Sequence, residues 1–225
     1  RVLGYSRHVV PHPADWPDSV HTTGYWFLDE DGGWTPPGDL ARFLAAGPPP
    51  IGIGFGSMTS RDAAALTALL LDAVARSGRR AVLLGGWAGL GGGDLPDTVY
   101  RLDAAPHHRL FPHLAAVVHH GGAGTTAAGL RAELPTIVVP HLGDQVFWGQ
   151  RVVALGVGPR PIPRGRLSAA RLAAAIDRVV SDEGMRRRAA DLGARIRGED
   201  GVGVAARLIE RYLAVGARRV PGGGV

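Results

Sequence analysis

Between residues 51 and 139, short apolar runs alternate with longer stretches of helical periodicity. The runs 51–55, 81–84, 99–102, 114–118 and 136–139 have the length and composition of buried strands, and 157–161 reads as one more short strand or extended segment. In 61–76, Leu66, Leu69, Leu70, Ala73 and Val74 share one apolar side. Further helices are predicted at 107–112, 125–132, 145–155, 169–180, 183–197 and 202–215, and Ser168 is placed to cap the one that follows it. Strands alternating with helices predict an α/β domain built on an open, mostly parallel sheet flanked by helices.

Before residue 51 the pattern is lost. Trp16, Tyr25, Trp26, Phe27 and Trp34 cluster there among prolines, with one short helix predicted at 39–46. The expected organisation is therefore a linker and strap over 1–48, the sheet domain over 49–216, and a disordered Gly-rich tail over 217–225. The first residues are no signal peptide, and without an initial Met they read as the interior of a longer chain.

Composition narrows the classes. Net charge is +5 and every basic residue is Arg. With 34 Gly and 17 Pro this reads as the codon bias of a GC-rich bacterial genome. The arginines are scattered among acids without a basic, aromatic-bearing stripe, so nucleic acid is not an expected partner. No apolar run reaches the roughly 18 residues of a membrane span, although peripheral contact with anionic lipid stays open. The absence of Cys excludes disulfides and thiolate metal sites and fits a reducing cytoplasm.

Four predicted strands end in candidate chemistry: Gly56-Ser57, Gly86-Trp87, His120-Gly121-Gly122, and Pro140 with Gly143-Asp144-Gln145. Open parallel sheets bind ligands outside such strand ends. The segment His119-His120-Gly121-Gly122-Ala123-Gly124-Thr125-Thr126 leads from a strand into a helix. A glycine-rich turn there leaves N–H groups unpaired at the positive end of a helix dipole, where an anion is favoured. Two imidazoles on one side and two hydroxyls on the other suit a diphosphate. A tight packing corner would use the same glycines; His120 and Thr125 at the helix mouth favour the ligand.

Gly52-Ile53-Gly54-Phe55-Gly56-Ser57 resembles a dinucleotide fingerprint, but its third Gly is displaced and no acid closes a second strand. No nicotinamide or flavin cofactor is expected, and Ser57 reads as a hydroxyl donor to a phosphate. Asp144 and Gln145 can bond adjacent sugar hydroxyls, and Asp144 can equally cap a helix. Asp29-Glu30-Asp31 has an acid-x-acid spacing but lies beside Gly32-Gly33, away from every predicted strand end, and reads as a solvated turn. No metal site is expected. His107, one strand before the phosphate turn, can face a nucleotide.

Pro106-His107 through Phe111, the 119–126 segment, Leu134-Pro135, Pro140, Gly143-Asp144-Gln145 and Phe147-Trp148-Gly149 together resemble the donor-binding half of nucleotide-sugar glycosyltransferases. Gly24-Tyr25-Trp26-Phe27-Leu28 and Gly54-Phe55-Gly56-Ser57-Met58 extend the likeness upstream. The chain is most similar to the sterol 3-beta-glucosyltransferase group and to vancomycin-type antibiotic glycosyltransferases. The resemblance implies the GT-B arrangement, two Rossmann-like domains facing across a cleft, with this chain as linker and C-terminal domain. It implies that His120 and the N–H groups around Gly122, Ala123, Gly124 and Thr125 hold the diphosphate and stabilise the leaving group, with Ser57 opposite. Trp87 and His107 would frame the base, and Asp144 and Gln145 would grip the sugar. Plant members carry a Glu eight residues after the phosphate-binding His, where this chain has Ala128.

The implied reaction is a metal-independent, inverting transfer of a hexose, glucose foremost, from a UDP- or TDP-sugar to a hydroxyl of a sterol-like, lipid or natural-product acceptor, without a cofactor. The base would be a His of a preceding acceptor-binding domain, so no catalytic base is expected in this chain. A module that binds a nucleotide sugar without catalysis is the alternative.

Overall fold

The computed structural model describes residues 1–29, 33–56, 58, 62–86 and 89–217. Glu30, Asp31, Ser57, Trp87 and the tail from 218 lie outside the described residues. In chain order the elements are β1 (Val2–Leu3), β2 (His21–Thr22), α1 (Gly38–Ala45), β3 (Ile51–Gly54), α2 (Ala63–Ser77), β4 (Ala81–Leu84), β5 (Val99–Leu102), α3 (His107–Leu110), β6 (Ala116–His119), α4 (Ala123–Arg131), β7 (Thr136–Val138), α5 (Gln145–Ala154), α6 (Ala169–Ser181), α7 (Glu183–Arg197) and α8 (Gly201–Ala217). Among the described residues no helix is long and apolar enough to cross a membrane.

Contacts divide the chain into two compact units, residues 29–194 and residues 1–28 with 195–225. This division differs from the expected boundary at 48/49. Residues 29–48 group with the sheet because Leu40 of α1 is fully buried beside Leu110 and Leu114. Residues 1–28 group with α8 because the chain crosses directly over its start. A Cβ on Gly201 would lie 2.3 Å from the Tyr25 carbonyl oxygen, so only glycine lets the backbones approach. Within the same unit, β1 pairs in parallel with β2, and the Ser6 hydroxyl donates to Glu199 at 2.8 Å.

The larger unit carries a five-stranded parallel sheet in the order β5-β4-β3-β6-β7. Strand side chains alternate between faces, and β3 shows why this matters. Ile51, Ile53 and Phe55 point into a core with Leu66 and Leu70 of α2 and Leu172 and Ile176 of α6. The opposite face of the same strand presents only Gly52, Gly54 and Gly56. Leu114 and Leu84 crowd over the first two, where an added Cβ would meet them at 2.5 and 2.8 Å. That face packs Val82 and Val117 against Leu110, Phe111 and Leu114.

Local chemistry sets the helix ends. Asp62 accepts from the Ala65 N–H at 2.8 Å at the start of α2, and Gly78 closes it in a left-handed conformation (φ 59°). Ser168 caps α6 through the Arg171 N–H. The 157–161 segment stays extended without becoming a strand, but it borders β7. Thr136 N–H donates to Val157 O at 3.0 Å, and Ile162 N–H to Val138 O at 2.9 Å. Leu70→Ala, which opens a cavity between α2 and the sheet, is expected to lower unfolding free energy by about 3 kcal/mol in urea denaturation.

Candidate functional site

The winding of the sheet locates the site. Starting from β3, the chain builds outward through β4 to β5, then returns to the other side of β3 with β6 and β7. Loops therefore diverge at the carboxyl ends of β3 and β6, leaving a crevice where ligands of open α/β sheets bind. Gly54 lies opposite His119 in register, so the two glycine-rich turns that follow face each other.

The β6–α4 turn is a cradle of unsatisfied amides. Gly122 is the N-cap, in extended conformation (φ −60°, ψ 142°) and without a side chain to satisfy the helix. The N–H groups of Ala123, Gly124 and Thr125 donate to no acceptor among the described residues. Ala123 and Gly124 are exposed and Thr125 is half-buried. The helix begins two residues earlier than its sequence pattern suggests, because two small residues occupy its first turn. Of the two hydroxyls, that of Thr126 is spent on the Gly122 carbonyl at 2.9 Å, which leaves Thr125 for a ligand.

Glycines also seat His120. A Cβ on Gly122 would lie 2.5 Å from its Nε2, and one on Gly56 would lie 3.2 Å from its Cε1. The ring thus occupies a slot between the β3 and β6 turns that only glycine on both sides leaves open. Gly121, at φ +92°, lets the turn pass Val138 and the Gln145 backbone, which an added Cβ would meet at 2.7 and 2.9 Å.

Beneath this turn lies a cavity of about 200 Å³ between the glycine face of β3 and α3. His107, His119, Thr125 and Phe111 help line it. His107 stacks on Phe111, with ring centroids 4.5 Å apart. His119 is 1% exposed. Its Nδ1 accepts the Gly121 N–H at 2.9 Å, which places the proton on Nε2. That Nε2–H has no partner among the described residues. A buried donor left so costs about 1–3 kcal/mol.

The imidazoles at this rim are held neutral. Burial drives His119 down to about 3, and His120 and His107 add to the effect. His120 is lowered by burial and then by His141, with Asp144 opposing. His107 is lowered by burial and His108. His141 is lowered by burial and, less, by Arg164, against the Val139 carbonyl that its Nδ1 approaches at 2.9 Å. At neutral pH these imidazoles present N–H dipoles without charge.

The Pro140 loop supplies the opposite lip. Gln145, 5% exposed, turns inward. Its Oε1 accepts from the N–H groups of His141 (2.7 Å) and Leu142 (3.1 Å), and its Nε2 lies 3.6 Å from the Met58 sulfur. Gln145 therefore shapes the turn, and Asp144 is the exposed member of the pair. Asp144 makes no capping bond to α5; its Oδ2 accepts from Trp148 Nε1 at 2.9 Å. His107 follows β5, His120 and the 122–125 turn follow β6, and Asp144 follows β7, all beyond the carboxyl ends of the parallel strands, while Ser57 and Trp87 lie outside the described residues. Asp29, the described acid of the acid-x-acid run, is held by both oxygens to Arg131 of α4 at 2.5 and 2.6 Å, as an ion pair. Sequence reasoning placed His119 with His120 as the two imidazoles of the phosphate turn, without separating the buried ring from the one at the rim, and missed His141. The alternation of Ile51, Ile53 and Phe55 with three glycines was the available signal that one face of β3 is bare.

A family model described as "Erythromycin biosynthesis protein CIII-like, C-terminal domain" matches residues 69–206. The chain belongs to this family. Among relatives, sterol 3-beta-glucosyltransferase UGT80A2 of Arabidopsis thaliana is 44% identical over 210 residues, which cover 93% of this chain and 33% of the relative. A sterol 3-beta-glucosyltransferase of Aspergillus fumigatus is 44% identical over 224 residues, covering 94% and 16%. Among solved structures, the glycotransferase of kitacinnamycin matches with TM-score 0.76 at 24% identity, covering 93% of this chain and 54% of that one. CalG4, the calicheamicin glycosyltransferase, matches with TM-score 0.75 at 23% identity, covering 98% and 53%. The fold is thus the C-terminal half of a GT-B architecture. The chain spans a third or less of the curated relatives' length.

The depressed imidazoles give the domain a pH dependence of definite sign. Each binds fewer protons folded than unfolded, so its stabilising contribution is complete above the unfolded value near 6.5 and is lost as pH falls toward the folded value. For His119, with a folded value of about 3, the loss between pH 8 and pH 5 is about 2 kcal/mol. Chemical denaturation at the two pH values is expected to show at least this decrease, and H119N to show a smaller one.

Proposed function

We propose that this chain is the donor-binding domain of an inverting, metal-independent glycosyltransferase that moves a hexose, glucose foremost, from a UDP- or TDP-sugar to a hydroxyl of a sterol-like or related lipid or natural-product acceptor. The observation that carries the reading is the first turn of α4, where three free N–H groups stand beside the neutral imidazole of His120 at the sheet's crossover point. Similarity to sterol 3-beta-glucosyltransferases supports the acceptor class and the glucosyl group.

In this reading the nucleoside lies toward the cavity beside His107, and the diphosphate lies over Ala123–Thr125. Asp144, exposed on the facing lip, accepts hydrogen bonds from sugar hydroxyls. The acceptor oxygen attacks the anomeric carbon as the bond from that carbon to the diphosphate oxygen breaks, and the electron pair leaves with the diphosphate. The acceptor proton goes to a base in the preceding acceptor-binding domain. His120 and the α4 amides stabilise charge that grows on the leaving group, an interaction stronger in the transition state than before it. Fixed dipoles do this without a cation. The site then has no need of a divalent metal, and the reaction would run in a reducing cytoplasm as well as elsewhere.

Calorimetric titration of the 225-residue chain tests this. UDP-glucose or TDP-glucose is expected to bind, NAD to give no heat, and EDTA to leave the affinity unchanged. His120→Ala is expected to raise Kd about 10- to 100-fold, the loss of one hydrogen bond to a charged group. No binding of either sugar nucleotide, or an unaltered His120→Ala, would refute the reading. Transfer to a sterol is expected only when the acceptor domain is supplied.

A further inference from the structure

The cavity under the phosphate turn holds a polar group that the diphosphate does not need. His119 sits at the end of β6 on the glycine face of the sheet, opposite Gly54, and is 1% exposed where His120 is half-buried. One edge of its ring is committed, since Nδ1 accepts the Gly121 N–H at 2.9 Å. The other edge carries a proton and has no partner among the described residues. The ring lines the cavity whose remaining walls are mainly glycine and apolar side chains. On the helix side, Ala128 packs with the apolar cluster of Leu110 and Phe111 and brings no polar atom. Asp103, also on the wall, is paired with Arg101 at 2.9 Å.

We propose that His119 is a nucleoside-binding residue, its Nε2–H donating to an uncharged oxygen of the nucleoside while its Nδ1 holds the phosphate turn through Gly121. This rests on the donor-domain reading and adds to it a second imidazole with a distinct task. His120 meets the charged diphosphate at the rim, and His119 meets the neutral part of the ligand below it. Burial keeps His119 neutral, which matches a neutral acceptor. The shared Gly121 contact means that the nucleoside and phosphate subsites are fixed by one side chain.

The test uses the whole chain with UDP and inorganic pyrophosphate as probes. In H119N the amide oxygen can still accept from Gly121 N–H, but the distal donor is gone. UDP affinity is expected to fall about tenfold, the worth of one neutral hydrogen bond, with pyrophosphate affinity unchanged. Equal weakening of both probes, or of neither, overturns the assignment. A measurement on the unmutated chain guards against a folding defect. With 15N-labelled imidazoles, the His119 Nε2–H resonance is expected to move on saturation with UDP and to stay with pyrophosphate. A resonance that UDP leaves in place overturns the proposal. If the wild-type chain binds no UDP at all, the donor-domain reading falls and this assignment with it. UDP binding that H119N leaves intact removes the assignment alone.

Discussion

A helix that starts straight from a strand end cannot satisfy its own first amides, and here nothing else in the described structure does so. Gly122, Ala123 and Gly124 offer no side chain that could turn back as a cap, and the hydroxyl of Thr126 bonds a carbonyl instead of an amide. The unmet donors of α4 stand where the order of the parallel strands reverses, so the direction of the dipole and the position of the crevice coincide. A place where negative charge is favoured follows from topology and from the smallness of three residues.

The imidazoles depend on the same smallness. His120 fits because Gly56 and Gly122 lack Cβ atoms, and His119 lies flush with the sheet beside Gly54. Each glycine gives up conformational restriction in the unfolded chain, and in return the backbone comes within reach of a ligand. Burial then removes charge from the rings. The crevice therefore presents dipoles whose orientation is set in advance, an arrangement that needs little reorganisation where negative charge is placed against it.

Much of this was legible in the chain itself, and the remainder has identifiable reasons. The apolar runs and the periodicity of 61–76 disclose the strands and helices because burial on one or two faces dictates composition. The turn at 119–126 discloses itself because few other jobs call for imidazoles and glycines together at a strand end. The pairing of residues 1–28 with α8 was not legible, since it rests on a backbone approach at Gly201 between segments far apart in sequence. Nor was the inward turn of Gln145, because a carboxamide serves backbone or ligand equally well and only the closing of the 141–145 turn decides. His119 and His120 look equivalent on paper. The pleat separates them, sending one under the sheet's cover and leaving the other at its rim.

The extended segment beside β7 has a bearing on how copies of the domain behave near one another. Val157 and Ile162 occupy the outward amide and carbonyl positions of that strand, and Gly158 is pressed so close that an added Cβ would lie 2.0 Å from the Thr136 carbonyl oxygen. At the other border of the sheet, β5 is four residues long and carries the exposed Arg101, with Pro96 just ahead of it. One margin is sealed by the chain's own backbone and the other is short and charged, so neither offers a template for cross-β association between molecules at high concentration.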